Sequence, residues 1–98
     1  MIGGAKKIIL SSPAKDSSLK TIVLGINDEK ISEDDIFLSN ASCTTNSAAP
    51  MIKVMKELCE IKSAFITTIH SYTTDQQLHD APHEDLRRAR AAGESIVP

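Results

Sequence analysis

Short apolar runs separated by polar turns make up most of the chain, and one stretch alone has helical periodicity. Residues 7–11 (KIILS) and 21–27 (TIVLGIN) are consecutive apolar runs rich in β-branched side chains, which predicts strands covered on both faces, as in a sheet sandwiched by helices. Residues 36–39 (IFLS) predict a third, short strand, and residues 63–69 (SAFITTI) a fourth that leads directly into His70. Between the third and fourth runs, apolar residues fall at 48, 51, 52, 55, 58 and 59, while Lys53, Lys56, Glu57 and Glu60 lie off the stripe; this is an amphipathic helix. Pro50 is tolerated only near a helix start, so the N-terminus is expected within 43–47, where Thr, Asn and Ser can cap it. Cys59 sits on the apolar stripe and is expected to be buried.

The polar segments 12–20 and 28–35 read as loops, so the first strands have no helices of their own to cover them. Gly3-Gly4 directly ahead of a strand is the pattern that follows a helix C-terminus in an α/β unit. Together these features predict an excerpt of a larger α/β protein. Residues 72–85 form a long polar loop, a length uncommon in compact domains unless the loop binds something.

Composition narrows the picture further. The 98 residues, 41% hydrophobic and 24% charged, allow one core at most, and a domain this small has modest stability. A net charge of −2 with interspersed signs creates no field that favours nucleic acid or an anionic membrane, so neither partner is expected. The basic cluster Arg87-Arg88-Ala89-Arg90 is too short for a nucleic-acid patch; it suits one small anion such as phosphate, or is a solvated charged face. Cys43 and Cys59 lack Cys-x-x-Cys spacing, and no secretory signal or membrane span is evident, which fits a reducing cytoplasm. His70, His79 and His83 have no zinc-finger or His-Glu-x-x-His spacing, and no metal is expected.

Strand-turn-helix placement puts Cys43 at a helix N-terminus, where backbone N–H groups and the positive dipole end favour a thiolate and can bind an oxyanion formed by its attack on a carbonyl. If the third and fourth strands are parallel neighbours joined by the helix, His70 lies at the same sheet edge, where open α/β sheets place ligands, and can move protons for covalent catalysis. The alternatives are a small buried cysteine and a hydrogen-bonded structural histidine, and both stay open on these residues alone.

The stretch SNASCTTN (39–46) resembles the active-site segment of the phosphorylating glyceraldehyde-3-phosphate dehydrogenases, and TTIHSYTTDQQLHDAPHEDLRRARAAGESIVP (67–98) resembles the segment that follows it, including the interval from Cys43 to His70. GAKKIILSSPAKD and TIVLGIN are similar to the last strands of that family's cofactor domain. The resemblance implies a partial Rossmann-type sheet running into the start of an α+β catalytic domain, with residues 1–42 in the NAD-binding domain and 43–98 in the catalytic one. It implies a glycolytic, cytoplasmic, homotetrameric parent enzyme acting on glyceraldehyde 3-phosphate and inorganic phosphate with NAD.

By the same resemblance Cys43 is the nucleophile and His70 its activator. Ser42, Thr44 and Arg88 serve the attacking phosphate. Thr73 and Asp75 match positions near the substrate phosphate and the nicotinamide ribose, Ser11 lies on the cofactor side, and Asn40 and Asn46 organise the turn. Three departures accompany it. Ser47 replaces a usual second cysteine, Ala81-Pro82 is mixed between NAD- and NADP-type variants and leaves NADP open, and no Gly-x-Gly-x-x-Gly fingerprint is present. The 98-residue chain alone is therefore expected to lack dehydrogenase activity. Erythrose-4-phosphate dehydrogenase, a truncated module that folds only with partner chains, and a Cys-His acyl-transfer or hydrolase domain are the rival readings.

Overall fold

The computed structural model describes residues 3–98, which fall into two compact units, one ending at Ile66 and the other spanning Thr67–Pro98. The first unit is a small α/β arrangement. It has three parallel strands, β1 (Ile8–Leu10), β2 (Lys20–Thr21) and β3 (Phe37–Ser39), one α-helix, α1 (Cys43–Leu58), and a 3-10 turn over Asp28–Lys30 within the segment expected to be a loop. The order is β1-β3-β2, so the last strand in sequence lies between the other two. Ile8, Ile9 and Leu10 pair with Phe37, Leu38 and Ser39, while Lys20 and Thr21 pair with Leu38 and Ser39.

Each strand is held by specific polar contacts as well as its ladder. Lys7 Nζ donates to the carbonyls of Glu33 (2.6 Å) and Asp35 (3.0 Å), fixing the turn that feeds β3 beside β1. Lys20 donates to the Asp35 carboxylate at 2.9 Å, and the Ser32 amide donates to it at 2.7 Å. The Lys20 bond, followed by the Ser32 bond, holds the Asp35 carboxyl below its ordinary range.

Ile22, Val23, Leu38, Ala41 and Ala48 are the buried apolar residues of this unit, so the core sits where the carboxyl ends of β2 and β3 meet the start of α1. Ser39 is completely buried. Its hydroxyl donates to the Ser12 carbonyl at 2.7 Å and accepts from the Ala41 amide at 3.2 Å, joining the end of β1 to the turn that opens the helix.

Several expectations need correction. The run 21–27 is a strand only at its first residue. After Ile22 donates to the Ser39 carbonyl, Asn27 folds the chain back by accepting from the Val23 amide at 2.8 Å and donating to the Thr21 carbonyl at 3.0 Å. Gly25, at φ +78°, completes a turn that most side chains would strain. β1 is not covered on both faces: all three of its residues are exposed, Ile9 at 69%.

The run 63–69 forms no strand, and Phe65 and Ile69 are fully exposed. An extended segment becomes a strand only when a neighbour takes its N–H and C=O groups, and none of the described strands pairs with it. Cys59 is exposed, as are Met51, Ile52, Val54, Met55 and Leu58 along the helix; only Ala48 of the stripe is buried. Pro50 lies inside α1, about two turns from its start.

The second unit has one 3-10 turn, η1 (Leu86–Arg88), and is otherwise held by turns. Asp85 caps η1, accepting from the Arg87 amide at 3.0 Å and from its guanidinium at 3.1 and 2.7 Å. These bonds, the guanidinium first, lower the Asp85 carboxyl to about 2. Farther along, the Ala92 amide donates to the Gln77 carbonyl (2.9 Å), the Ala81 amide to Ala89 (3.1 Å), and the Ala91 amide to the Asp80 carboxylate (3.0 Å).

Two outcomes follow from these contacts. Ser39→Ala removes both bonds of a buried hydroxyl and strands the Ser12 carbonyl. It should cost about 1–3 kcal/mol, read as a lower urea midpoint for the chain at unchanged m-value. Asp85, whose folded pKa is depressed, contributes to order of the 85–90 turn fully above its unfolded value of 3.8 and loses that contribution as pH falls through about 2. The Arg87 amide resonance should therefore titrate near 2, and Asp85→Asn should abolish that step; a midpoint near the ordinary carboxylate value would contradict the cap.

Candidate active site

The chain from β3 into α1 is an elbow built by side chains that bond their own backbone. Asn40 continues the sheet by donating its amide to the Leu10 carbonyl at 2.8 Å. Ala41 then takes φ +59°, a left-handed conformation uncommon for a residue with a Cβ, and is buried while doing so. The Ser39 hydroxyl bonded to its amide helps hold it there. Ser42 is extended and caps the helix: its Oγ accepts from the Thr45 amide at 2.9 Å and lies 2.7 Å from Thr45 Oγ1. Asn46 Nδ2 donates both to the Asn40 carbonyl (2.6 Å) and to the Ser42 carbonyl (2.9 Å), clamping the elbow from one turn inside the helix.

The outcome is that Cys43 is the first residue of α1 and is exposed, flanked by Ser42 and Thr44. No acidic residue lies in the first turn to oppose an anion there. Cys59 provides the contrast. It is the C-cap of the same helix, and its thiol donates to the Met55 carbonyl at 3.4 Å. No disulfide is formed by either cysteine. Ser11 directly follows β1, between Leu10 and Ser12, whose carbonyls accept from Asn40 and Ser39; it is exposed at the carboxyl edge of the sheet, the edge from which α1 begins.

The remaining predicted residues lie in the second unit. His70 is exposed, and its Nδ1 lies 2.5 Å from the Ser71 carbonyl. A carbonyl only accepts, so Nδ1 carries the proton, and in the neutral ring Nε2 carries the lone pair. His70 does not end a parallel strand of the sheet, because residues 60–73 form no ladder, so the predicted fourth strand is absent.

Thr73, Asp75 and Arg88 are brought together in this unit. Arg88 Nη2 pairs with Asp75 Oδ2 and also donates to the Asp75 carbonyl at 3.3 Å. Two residues before Asp75, the Thr73 amide and hydroxyl both donate to Gln76 Oε1, at 2.6 and 3.1 Å. The Gln76 amide donates back to the Thr73 carbonyl at 3.0 Å. Among the described residues no His, Cys, Asp and Glu cluster could hold a metal, and no helix is long and apolar enough to cross a membrane.

Three contributors escaped the sequence reading. Ser39 was legible only as the end of a strand; its burial depends on β1 and the Ser12 loop closing over it. The left-handed Ala41 had no signal, since glycine or asparagine is the usual occupant. Gln76 could have been found as a polar residue three positions after a threonine in a turn.

A sequence model described as "Glyceraldehyde 3-phosphate dehydrogenase, C-terminal domain" matches residues 42–98, beginning at the cap of α1. Among curated relatives, glyceraldehyde-3-phosphate dehydrogenase from Borreliella burgdorferi is 58% identical over 95 residues, covering 97% of this chain and 28% of the relative. Glyceraldehyde-3-phosphate dehydrogenase 2 from Bacillus subtilis is 53% identical over 96 residues, with 97% and 28% covered. Glyceraldehyde-3-phosphate dehydrogenase from Streptomyces coelicolor is 54% identical over 97 residues, with 98% and 29% covered. The chain thus spans somewhat over a quarter of the length of the curated relatives it matches. With the family model matching more than half of its residues, starting one position before the exposed cysteine, the chain belongs to the glyceraldehyde-3-phosphate dehydrogenase family.

Proposed function

We propose that this chain carries part of the catalytic centre of a phosphorylating, NAD-dependent glyceraldehyde-3-phosphate dehydrogenase, with Cys43 as nucleophile. The observation that carries the proposal is an exposed cysteine at the first position of a helix whose start is braced by Ser42, Asn46 and Ser39. The names of the relatives favour glyceraldehyde 3-phosphate over the erythrose compound or a hydrolytic reaction. Residues 1–42 are assigned to a Rossmann-type cofactor domain and 43–98 to an α+β catalytic domain. The parallel sheet in the former and the start of the family match at 42 support that assignment. The parent is a cytoplasmic, glycolytic homotetramer by the same reading.

In the reaction, the Cys43 thiolate forms a C–S bond to the aldehyde carbon, and the carbonyl oxygen becomes an oxyanion that first-turn N–H groups of α1 stabilise. His70, with its lone pair on Nε2, takes the thiol proton and returns a proton to that oxygen. Ser11, exposed at the carboxyl edge of a parallel sheet, fits the place where a dinucleotide is held in such folds, and Asp75 is assigned to its ribose. When bound, NAD would supply the acceptor for the hydride leaving the hemithioacetal carbon, and His70 would take the hydroxyl proton as the C=O of the thioester forms.

Ser42, Thr44 and Arg88 then receive inorganic phosphate, whose oxygen attacks the thioester carbon. The C–S bond breaks, the Cys43 thiolate leaves, and an acyl phosphate is released. Thr73 serves the phosphate already on the substrate. Arginine suits this anion because its planar fork matches phosphate oxygens in pairs.

Two measurements test the reading. Grafted in place of the matching segment of the Borreliella burgdorferi relative, the chain should support NADH formation that depends on both glyceraldehyde 3-phosphate and phosphate. Cys43→Ser should abolish it, and His70→Gln should slow it roughly 10²- to 10⁴-fold; a fully active Cys43→Ser graft would sink the assignment. In the 98-residue chain, iodoacetamide at neutral pH should modify Cys43 well before Cys59, because the two cysteines occupy opposite ends of one helix dipole. Equal rates by peptide mass spectrometry would remove the physical basis for a reactive Cys43.

A further inference from the structure

We infer that Gln76 is a positioning residue whose side-chain carbonyl holds the Thr73 hydroxyl in the place of a phosphate oxygen, so that phosphate binding at Thr73 requires Gln76 to be displaced. The inference rests on the assignment of Thr73 to the substrate phosphate and adds an internal competitor to that site.

The direction of each bond follows from the donors. The Thr73 backbone N–H can only donate, and it lies 2.6 Å from the Gln76 side chain, so the atom facing it is the amide oxygen. An amide oxygen only accepts. The Thr73 hydroxyl, 3.1 Å from the same oxygen, must therefore spend its single proton on Gln76. A phosphate oxygen also needs that proton, and one hydroxyl cannot donate to both acceptors. Gln76 Oε1 takes the backbone N–H as well, so it occupies two donors that an anion could use.

A second observation points the same way. The neighbouring residue, Asp75, presents its carboxylate oxygen to the Arg88 guanidinium and its carbonyl to the same nitrogen at 3.3 Å. Arg88 is the other predicted phosphate ligand in this unit. Its Nε is buried with no hydrogen-bond partner, so this donor is not satisfied by the internal carboxylate. Adjacent residues 75 and 76 thus set oxygen acceptors on both of the predicted phosphate-binding groups. The turn that carries them is closed by one backbone bond, from Gln76 N to Thr73 O at 3.0 Å, and Gln76 is half-buried with no other bond from its Oε1 to a distant element. Displacing its side chain breaks two local bonds and leaves the backbone turn in place.

The test is a titration of the ¹⁵N-labelled 98-residue chain with inorganic phosphate, followed at the Thr73 amide, for the wild type, Gln76→Leu and Gln76→Glu. Gln76→Leu removes the competing acceptor and keeps much of the bulk; it should bind phosphate about threefold to tenfold more tightly than the wild type, as expected for losing a competing hydrogen bond. Gln76→Glu keeps an acceptor and adds a negative charge, and should bind more weakly than the wild type. Equal or weaker binding by Gln76→Leu overturns the inference, as does the lack of any phosphate response at Thr73 in all three chains. Thr73→Val should lose the gain when combined with Gln76→Leu; its persistence would also overturn the inference. This readout needs no turnover, so an inactive graft together with tighter phosphate binding by Gln76→Leu would remove the dehydrogenase assignment and leave the competition intact.

Discussion

The buried hydroxyl of Ser39 is the point on which the first unit depends. β3 is the strand that both others pair with, and Ser39 is the last residue at which it pairs with β1 and β2 together. One residue later Asn40 makes a last bond to β1, and two later the chain must turn through a left-handed conformation at Ala41 without the freedom of glycine. A side chain that accepts from the Ala41 amide while donating to the Ser12 carbonyl makes that turn compatible with burial. An aliphatic residue of similar size would fill the space and leave two polar backbone groups without partners.

From this constraint the position of the cysteine follows. Ser42 and Asn46 divide the work of starting the helix: the serine takes the Thr45 amide, and the asparagine draws the Asn40 and Ser42 carbonyls together from the other side. Neither of these contacts uses the cysteine, so the residue at the first helical position is set by its neighbours and is exposed at the sheet's carboxyl edge. The chemistry of a helix N-terminus then applies to it by location, since the partial positive charge fades within a turn. Cys59, at the other terminus, has the same side chain and none of this setting.

What was legible in the sequence was local. The helix could be read from its 3.6-residue stripe, its start from Ser and Asn capping, and the place of Cys43 at that start from the strand-turn-helix pattern, because each depends on residues within about one turn of each other. Strands were legible in kind but not in extent. TIVLGIN and SAFITTI have the composition of strands, yet the first is diverted by Asn27 and Gly25 and the second has no ladder. Apolar composition favours extended backbone; it does not say which neighbour accepts the hydrogen bonds. The same limit explains the errors over burial at Cys59 and β1, since a periodic stripe marks a face suited to packing, not what packs on it.

The second unit obeys a different rule. With one short 3-10 turn and no strand, it is ordered by side chains that substitute for backbone partners: Gln76 for Thr73, Asp80 for Ala91, Asp85 for Arg87. Such contacts are near surfaces and individually weak, and they compete with water or with any anion that offers better oxygens. A loop built this way can be well defined and still exchange one acceptor for another at small cost. That property suits the phosphate exchange proposed for Thr73. It also explains why polar residues dominate 72–85: Thr73, Gln76, Asp80 and Asp85 are the hydrogen-bonding framework of the loop itself.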